Sequence, residues 1–293
     1  MRGETVRIVE VGPRDGLQNE ATPVPTEVKV AFVDALSEAG FDEIEVSSFV
    51  SARWVPQLAD AEDVFARIRR APGVTYMALV PNLQGLTRAR AARVDKVAVF
   101  TAASETFSRK NTNATIAETI ERFRPVVAEA GIPVRGYIST AFHCPYEGPI
   151  APAQVRSVAM SLLGLGVNEL SIGDTIGKAT PDEVKHLLEV LLPVVQPTSR
   201  LALHLHDTYG QAVTNALAAH AMGISVFDSS AGGIGGCPYA PGAPGNVATE
   251  ALVAAFPGRT GIDLERLRTA SALVGPYISR SKLPPTDFTD STD

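Results

Sequence analysis

The residues with the most chemistry to offer fall in one ten-residue stretch, Leu201-Ala-Leu-His204-Leu-His206-Asp207-Thr208-Tyr209-Gly210. Its apolar start reads as a short buried strand, in which alternate side chains share a face, so His204 and His206 project to the same side. The run breaks at Asp207 and Gly210, just where a helical pattern starts at Gln211. That puts the pair at the carboxyl end of the strand, where α/β folds place their sites. Two hydrogen-bonded core histidines satisfy the same pattern, and a metal site is the competing reading.

Other groups with matching chemistry follow other apolar runs. Gly12-Pro13-Arg14-Asp15-Gly16-Leu17-Gln18-Asn19-Glu20 is a turn-rich stretch that sets a cation beside a carboxylate and adds amides. Asp15 can complete a metal site with the two histidines, leaving Arg14 for an anionic substrate group. Glu45 lies inside an apolar run, where an unpaired carboxylate is costly, so it is expected to face a barrel interior. Gly173-Asp174-Thr175-Ile176-Gly177 holds another acid in a glycine turn, and Tyr137 precedes His143-Cys144-Pro145-Tyr146-Glu147-Gly148. The longest irregular stretch, Ser229 to Asn246, is rich in glycine and proline yet carries a thiol, Cys237. With an unperturbed pKa of about 8.5 that thiol is mostly protonated at neutral pH, so it can protonate a carbanion as well as attack an electrophile. Asn246 can offer its amide oxygen to a hard cation or simply cap the next helix. Two imidazoles, a carboxylate, an amide oxygen and open positions suit six-coordinate Mg²⁺ or Mn²⁺ better than closed tetrahedral Zn²⁺. The facial triad of non-haem iron oxygenases uses two His and one carboxylate as well, and is the rival from another enzyme class.

These groups need a scaffold that gathers strand ends. Apolar strand-like runs recur at Val6–Val11, Glu43–Ser47, Thr75–Leu79, Lys96–Phe100, Val134–Ser139, Glu169–Ile172, Leu201–Leu205 and Ser225–Asp228. Helical patterns follow from near Thr26, Gln57, Leu83, Ala114, Pro152, Pro181, Gln211 and Val247, with Thr180-Pro181-Asp182-Glu183 the clearest start signal. Eight alternating units about 30 residues apart predict a (β/α)₈ TIM barrel with one or more extra C-terminal helices. A doubly wound open sheet is the alternative, weakened by the lack of Gly-x-Gly-x-x-Gly after the first strand. The expected organisation is one catalytic barrel domain over residues 1–280, including a C-terminal helix from about Asp263 to Ser279, and a polar, mobile tail over 281–293.

Composition is that of a globular chain. The chain has 293 residues, 45% of them hydrophobic and 20% charged, which is ample for a large core. A net charge of −6 with no basic block argues against nucleic acid. Only two cysteines, Cys144 and Cys237, exclude a disulfide framework and point to a reducing compartment. No apolar run approaches the ~20 residues of a membrane span, and the N-terminus enters a strand by Val6 without an apolar signal segment, so a cytoplasmic protein is expected.

Three motifs together, Val11-Gly-Pro-Arg-Asp-Gly-Leu-Gln-Asn-Glu20, His204-Leu-His-Asp-Thr-Tyr209 and Gly235-Gly-Cys-Pro-Tyr-Ala240, resemble the 3-hydroxy-3-methylglutaryl-CoA lyases. Glu45-Val-Ser-Ser-Phe-Val50, Ser104-Glu-Thr-Phe-Ser-Arg-Lys-Asn111, Cys144-Pro-Tyr-Glu-Gly148 and Gly173-Asp-Thr-Ile-Gly177 extend the similarity over the whole barrel. The opening Asp and the His-x-His pair are shared with related Claisen-type synthases, whereas the Gly-Gly-Cys-Pro-Tyr loop separates the lyases. The chain also lacks the long C-terminal region typical of regulated synthases. The resemblance implies a divalent cation, Mg²⁺ or Mn²⁺, on Asp15, His204, His206 and Asn246, with Arg14 on the substrate carbonyl oxygen and Cys237 as catalytic acid. It implies supporting acids in Glu45 and Asp174; for the base, His204 is the first candidate by its position, with Asp174 or an ion-bound hydroxide as the alternative. Tyr137 and Gln18 would lie beside the substrate, and Arg109, Lys110 and Asn111 would fall in a loop at the CoA entrance. An acyl-CoA substrate and a homodimer are implied, with neither nucleic acid nor membrane as partner. His143 stands where glycine is expected in these lyases. That leaves a longer-branched 3-hydroxyglutaryl-CoA or citramalyl-CoA as alternative substrates. A barrel that binds acyl-CoA without turnover is the rival outside enzymes, and the intact Arg14, Asp15, His204, His206 and Cys237 argue against it.

Overall fold

The structure is a computed structural model that describes residues 5–236 and 245–278. Its strands are β1 (Arg7–Glu10), β2 (Glu43–Ser48), β3 (Thr75–Leu79), β4 (Lys96–Ala102), β5 (Val134–Ser139), β6 (His143–Cys144), β7 (Gly148–Pro149), β8 (Glu169–Asp174), β9 (Leu201–Leu205) and β10 (Val226–Ser229). Eight of them close a parallel barrel in the order β1-β10-β9-β8-β5-β4-β3-β2, while β6 and β7 form a small antiparallel hairpin outside it. The helices are α1 (Thr26–Glu38), α2 (Ala61–Arg67), α3 (Leu83–Ala91), α4 (Glu105–Thr112), α5 (Ile116–Glu129), α6 (Pro152–Leu165), α7 (Pro181–Leu191), α8 (Ala212–His220), α9 (Thr249–Ala255) and α10 (Leu264–Val274). The expected (β/α)₈ barrel with an additional C-terminal helix is therefore what the chain forms, and the expected tail over 281–293 lies outside the described residues.

Local sequence explains most helix starts. Thr115 and Thr180 each make a reciprocal capping box with Glu118 and Glu183, and Asn82, Ser104 and Asp263 accept backbone N–H groups at the starts of α3, α4 and α10. Three features depart from the sequence reading. The stretch Gly12–Gly16 is a π-helical turn, in which the Val11 carbonyl accepts from the N–H groups of Arg14, Asp15 and Gly16. Residues 108–111, expected in a loop, lie within α4, and α2 starts at Ala61 after a short 3₁₀ turn at Pro56–Leu58.

Two cores hold this frame. Buried apolar side chains of strands and helices fill the space between barrel and helix ring, and a smaller cluster including Val9, Met77, Ala98, Ala202 and Val226 fills the barrel itself. The amino-terminal end of the barrel is closed by ions instead. Arg7 pairs with Glu43 (2.6 Å) and Glu169 (2.7 Å), Lys96 with the same two acids (2.7 and 3.1 Å), and Arg135 with Glu169 (3.1 Å) and Asp228 (2.5 Å). Three cations and three carboxylates balance, as burial of charge requires.

Candidate active site

At the opposite end of the barrel the strand termini surround a cavity of about 670 Å³. Arg14, Asp15, Gln18, Tyr137, His204, His206, Lys110 and Asn111 line it, so most of the residues singled out in the sequence meet here. Asp15, His204 and His206 bring their ligand atoms within 4.8 Å of one another. The histidine rings lie 5.3 Å apart between centroids. His204 is the last inward residue of β9, and His206 is placed by a bridge to Asn246 beyond the strand's end.

The electrostatics favour a cation at this cluster. Burial, then the neighbouring His204, hold the His206 imidazole down to about 4 against the pull of Asp15, so the ring is neutral and keeps a lone pair. Its Nδ1 is buried and unpaired among the described residues, which is costly unless a ligand satisfies it. Burial alone would raise the Asp15 carboxyl, but Arg14, His204 and His206 outweigh it and bring it to about 2. Asn246 stands beside the cluster, donating from Nδ2 to Asp15 Oδ2 (2.9 Å) and the Ile234 carbonyl (3.2 Å). A half-turn of that amide presents its oxygen instead.

Arg14 is fixed from several sides. Its Nη1 donates to Asp15 (2.6 Å), its Nε to Glu45 (2.7 Å), and its guanidinium carbon lies 5.4 Å from the centre of the Tyr137 ring. The Tyr137 hydroxyl donates to the same Glu45 oxygen (3.1 Å). Glu45 faces the barrel interior as expected, fully buried behind Arg14, and burial raises its carboxyl despite the arginine. Gln18 donates to Asp15 (3.0 Å). Close packing in this corner demands glycine at 235, where φ is +105° and a Cβ would stand 2.6 Å from Asn246 Nδ2.

Two expected site residues, Asp174 and Arg109, fall elsewhere. Ser171 and Gly173 of β8 line the cavity, so strand alternation turns Asp174 outward. Its carboxylate accepts from Lys178 N (3.1 Å) and Ala179 N (3.0 Å), and burial raises it to about 6 against those bonds. Asp174 thus shapes the turn that carries Gly177, whose φ is +67° and where a Cβ would come within 2.8 Å of the His206 carbonyl. Arg109 is exposed on α4 and does not line the cavity. His143 lies outside the cavity too, its Nε2 2.9 Å from Glu183 Oε1, so it ties the hairpin to the start of α7 instead of altering the acyl pocket. Cys237 lies outside the described residues, but Gly236, which precedes it, lines the cavity.

Other contributors were given no role by the sequence. The hairpin supports α4 through Glu147, which accepts Thr106 N (2.6 Å), through Cys144 Sγ, 3.0 Å from Ser104 Oγ, and through the Tyr146 ring, 4.7 Å below Lys110 Nζ. Buried Glu10 ties two site loops together. Its Oε1 accepts Gly12 N (2.8 Å) and Ala231 N (2.9 Å), and Thr249 donates to Oε2 (2.8 Å). Burial outweighs those donors and pushes the Glu10 carboxyl from 4.5 up to about 8. The folded chain then keeps a proton that the unfolded chain loses, so stability falls as pH rises through that window, by about 1.4 kcal/mol per pH unit at most. Glu10→Gln, neutral and of the same shape, should flatten this slope. Melting temperatures of the two proteins from about pH 5 to about pH 8 should diverge steadily, and parallel curves would refute the assignment.

The likeness to known proteins is extensive. The chain is 51% identical over 284 residues to a rat cytoplasmic 3-hydroxy-3-methylglutaryl-CoA lyase, covering 95% of this chain and 82% of the relative. It is 50% identical over 281 residues to a bovine mitochondrial hydroxymethylglutaryl-CoA lyase, covering 94% and 86%. The crystal structure of an HMG-CoA lyase from Brucella melitensis superposes with a TM-score of 0.91 at 50% identity, over 94% of this chain and 99% of that one. The HMGL-like family model matches residues 5–274, the whole barrel together with α10, and the chain therefore belongs to the HMGL-like family.

Proposed function

We propose that the chain cleaves 3-hydroxy-3-methylglutaryl-CoA to acetyl-CoA and acetoacetate, with Asp15, His204, His206 and Asn246 holding Mg²⁺ or Mn²⁺. The observation that carries this reading is the convergence of a carboxylate and two imidazoles, one with an unpaired buried nitrogen, in a cavity walled by Arg14. A hard divalent cation held by these residues would supply Lewis-acid polarisation of the substrate's tertiary hydroxyl.

The chain's own groups do the rest. Arg14, locked by Asp15, Glu45 and Tyr137, points charge at the thioester oxygen, where negative charge grows as the carbon–carbon bond breaks and the hydroxyl carbon becomes a ketone. Asp174 holds its own turn and does not line the cavity, and both ring nitrogens of His204 face carboxylates, Nε2 toward Asp15 and Nδ1 toward Asp228, so neither serves as the base and the hydroxyl proton is assigned to cavity solvent. Cys237 returns a proton to the enolate carbon, which completes acetyl-CoA. Lys110 and Asn111 on α4 line the side of the cavity assigned to the CoA chain.

His143, engaged with Glu183, gives no ground for a longer-branched substrate. Acetoacetate formation from the thioester should appear with Mg²⁺ or Mn²⁺ and disappear after EDTA treatment, returning when the metal is restored. No product with either metal would sink the substrate assignment, and oxygen consumption with Fe²⁺ and 2-oxoglutarate would support the oxygenase rival. The proposed assembly is a homodimer, which light scattering would report as twice the mass of one chain. The proposed compartment is the cytoplasm, supported by the two thiols alone, because relatives of equal identity carry cytoplasmic and mitochondrial names. No helix among the described residues is long and apolar enough to cross a membrane.

A further inference from the structure

His204 lies between two carboxylates. Its Nε2 is 3.8 Å from Asp15 Oδ2, within the metal cluster, and its Nδ1 is 3.3 Å from Asp228 Oδ2. Asp228 is the register partner of His204 on β10 and is 1% exposed, so water cannot take over its bonds. It is held from two further strands, since Ser171 Oγ of β8 donates to Oδ2 (2.7 Å) and Arg135 Nη2 of β5 donates to Oδ1 (2.5 Å). Arg135 is itself fully buried and tied to Glu169 (3.1 Å) in the ionic floor. The carboxylate thus has neither room to turn nor a competing solvent partner.

A neutral imidazole carries one N–H and one lone pair, and an ionised carboxylate can only accept. Facing Asp228, His204 must therefore place its hydrogen on Nδ1 and its lone pair on Nε2, toward Asp15. We infer that Asp228 is a positioning residue that fixes the tautomer and ring angle of His204, and through them the affinity of the Asp15–His204–His206 cluster for a divalent cation. This rests on the metal reading above. The competing role is structural, with Asp228 serving only as a counter-charge for Arg135.

The two roles separate in Asp228→Asn. Arg135 has only donors, so it claims the amide oxygen and leaves the amide NH₂ facing Nδ1. His204 must then accept on Nδ1 and carry its hydrogen on Nε2, which closes the lone pair to the metal. Free Mn²⁺ can be titrated by electron paramagnetic resonance against metal-stripped protein without substrate, alongside a melting curve for each variant. Asp228→Asn should raise the Mn²⁺ Kd roughly 10–100-fold. Glu169→Gln strips Arg135 of the nearer of its two other carboxylates, leaving Glu43 at 3.8 Å, and does not touch His204, so it should lower the melting temperature without moving the Kd. If Asp228→Asn fails to fold, Ser171→Ala keeps every charge, frees the same oxygen and should still raise the Kd. An unchanged Kd in the variant that folds would overturn the inference, as would an equal rise in Glu169→Gln. Failure of the unaltered chain to bind Mn²⁺ would overturn the metal reading and this inference with it.

Discussion

His206→Ala should lose Mn²⁺ affinity by more than roughly 100-fold, beyond the 10–100-fold typical of residues that only orient a ligand. The histidine is 8% exposed, is neutral because burial and His204 hold it down to about 4, and keeps a buried, unpaired Nδ1. Removing the ring takes away one of two nitrogen donors and leaves the Asp15 carboxylate with Arg14 as its main neighbour. Turnover should vanish at low Mn²⁺ and return in part at high Mn²⁺, because Arg14 and the substrate wall of α4 are untouched. The checks are Mn²⁺ titration by electron paramagnetic resonance and acetoacetate release as a function of Mn²⁺. A variant that binds Mn²⁺ as tightly as the unaltered chain would show that His206 is a core histidine.

Much of this site is legible in the sequence because strand alternation and turn residues are local signals. Three strands, Thr75–Leu79, Val134–Ser139 and Leu201–Leu205, start and stop where the apolar pattern does, and His204 and His206 meet as their spacing requires. Asp174 reads in the sequence only as an acid in a glycine turn, and its orientation depends on register. Nothing within β8 says which face is inner until Ser171 is seen to meet Asp228 across the barrel. Helix α4 escaped notice because Phe107 is the one large apolar residue among its eight, and it is held by the Ser104 cap and the outlying hairpin instead of an apolar stripe. The ionic floor and Asp228 were invisible for a different reason. Arg7 and Glu169 are 162 positions apart, and Arg135 and Asp228 are 93 apart, so each reads alone as an isolated charge in an apolar run. The resemblance supplied Asn246 and Cys237 as functional residues where spacing left a cap and a loop thiol as alternatives.

Cys237→Ser should lower kcat by roughly 10²–10⁴, the range for loss of a positioned general acid, while Mn²⁺ affinity stays unchanged. An unperturbed thiol ionises with a pKa of about 8.5, whereas an alcohol gives up its proton only several units higher, so serine keeps the size of the side chain and loses its acidity. The described residues on either side of Cys237 are fixed beside the Asp15–His204–His206 cluster. Gly236 lines the cavity, and the Gly245 carbonyl accepts Asp207 N (2.6 Å) immediately before Asn246. Substitution within the loop therefore leaves the Asp15, His204 and His206 ligands where they are. This is the reverse of the His206→Ala result, since added Mn²⁺ should restore the histidine variant in part and the serine variant not at all. The measurement is kcat at saturating substrate and Mn²⁺, with Kd for Mn²⁺ taken on the same preparation. Full turnover in Cys237→Ser would make the thiol structural. The proton donor would then have to come from the Tyr137 hydroxyl, which is pushed far above its usual range by burial and Glu45, or from cavity water. A phenol shifted in that direction is a poorer acid, so water would be the stronger of those two claims.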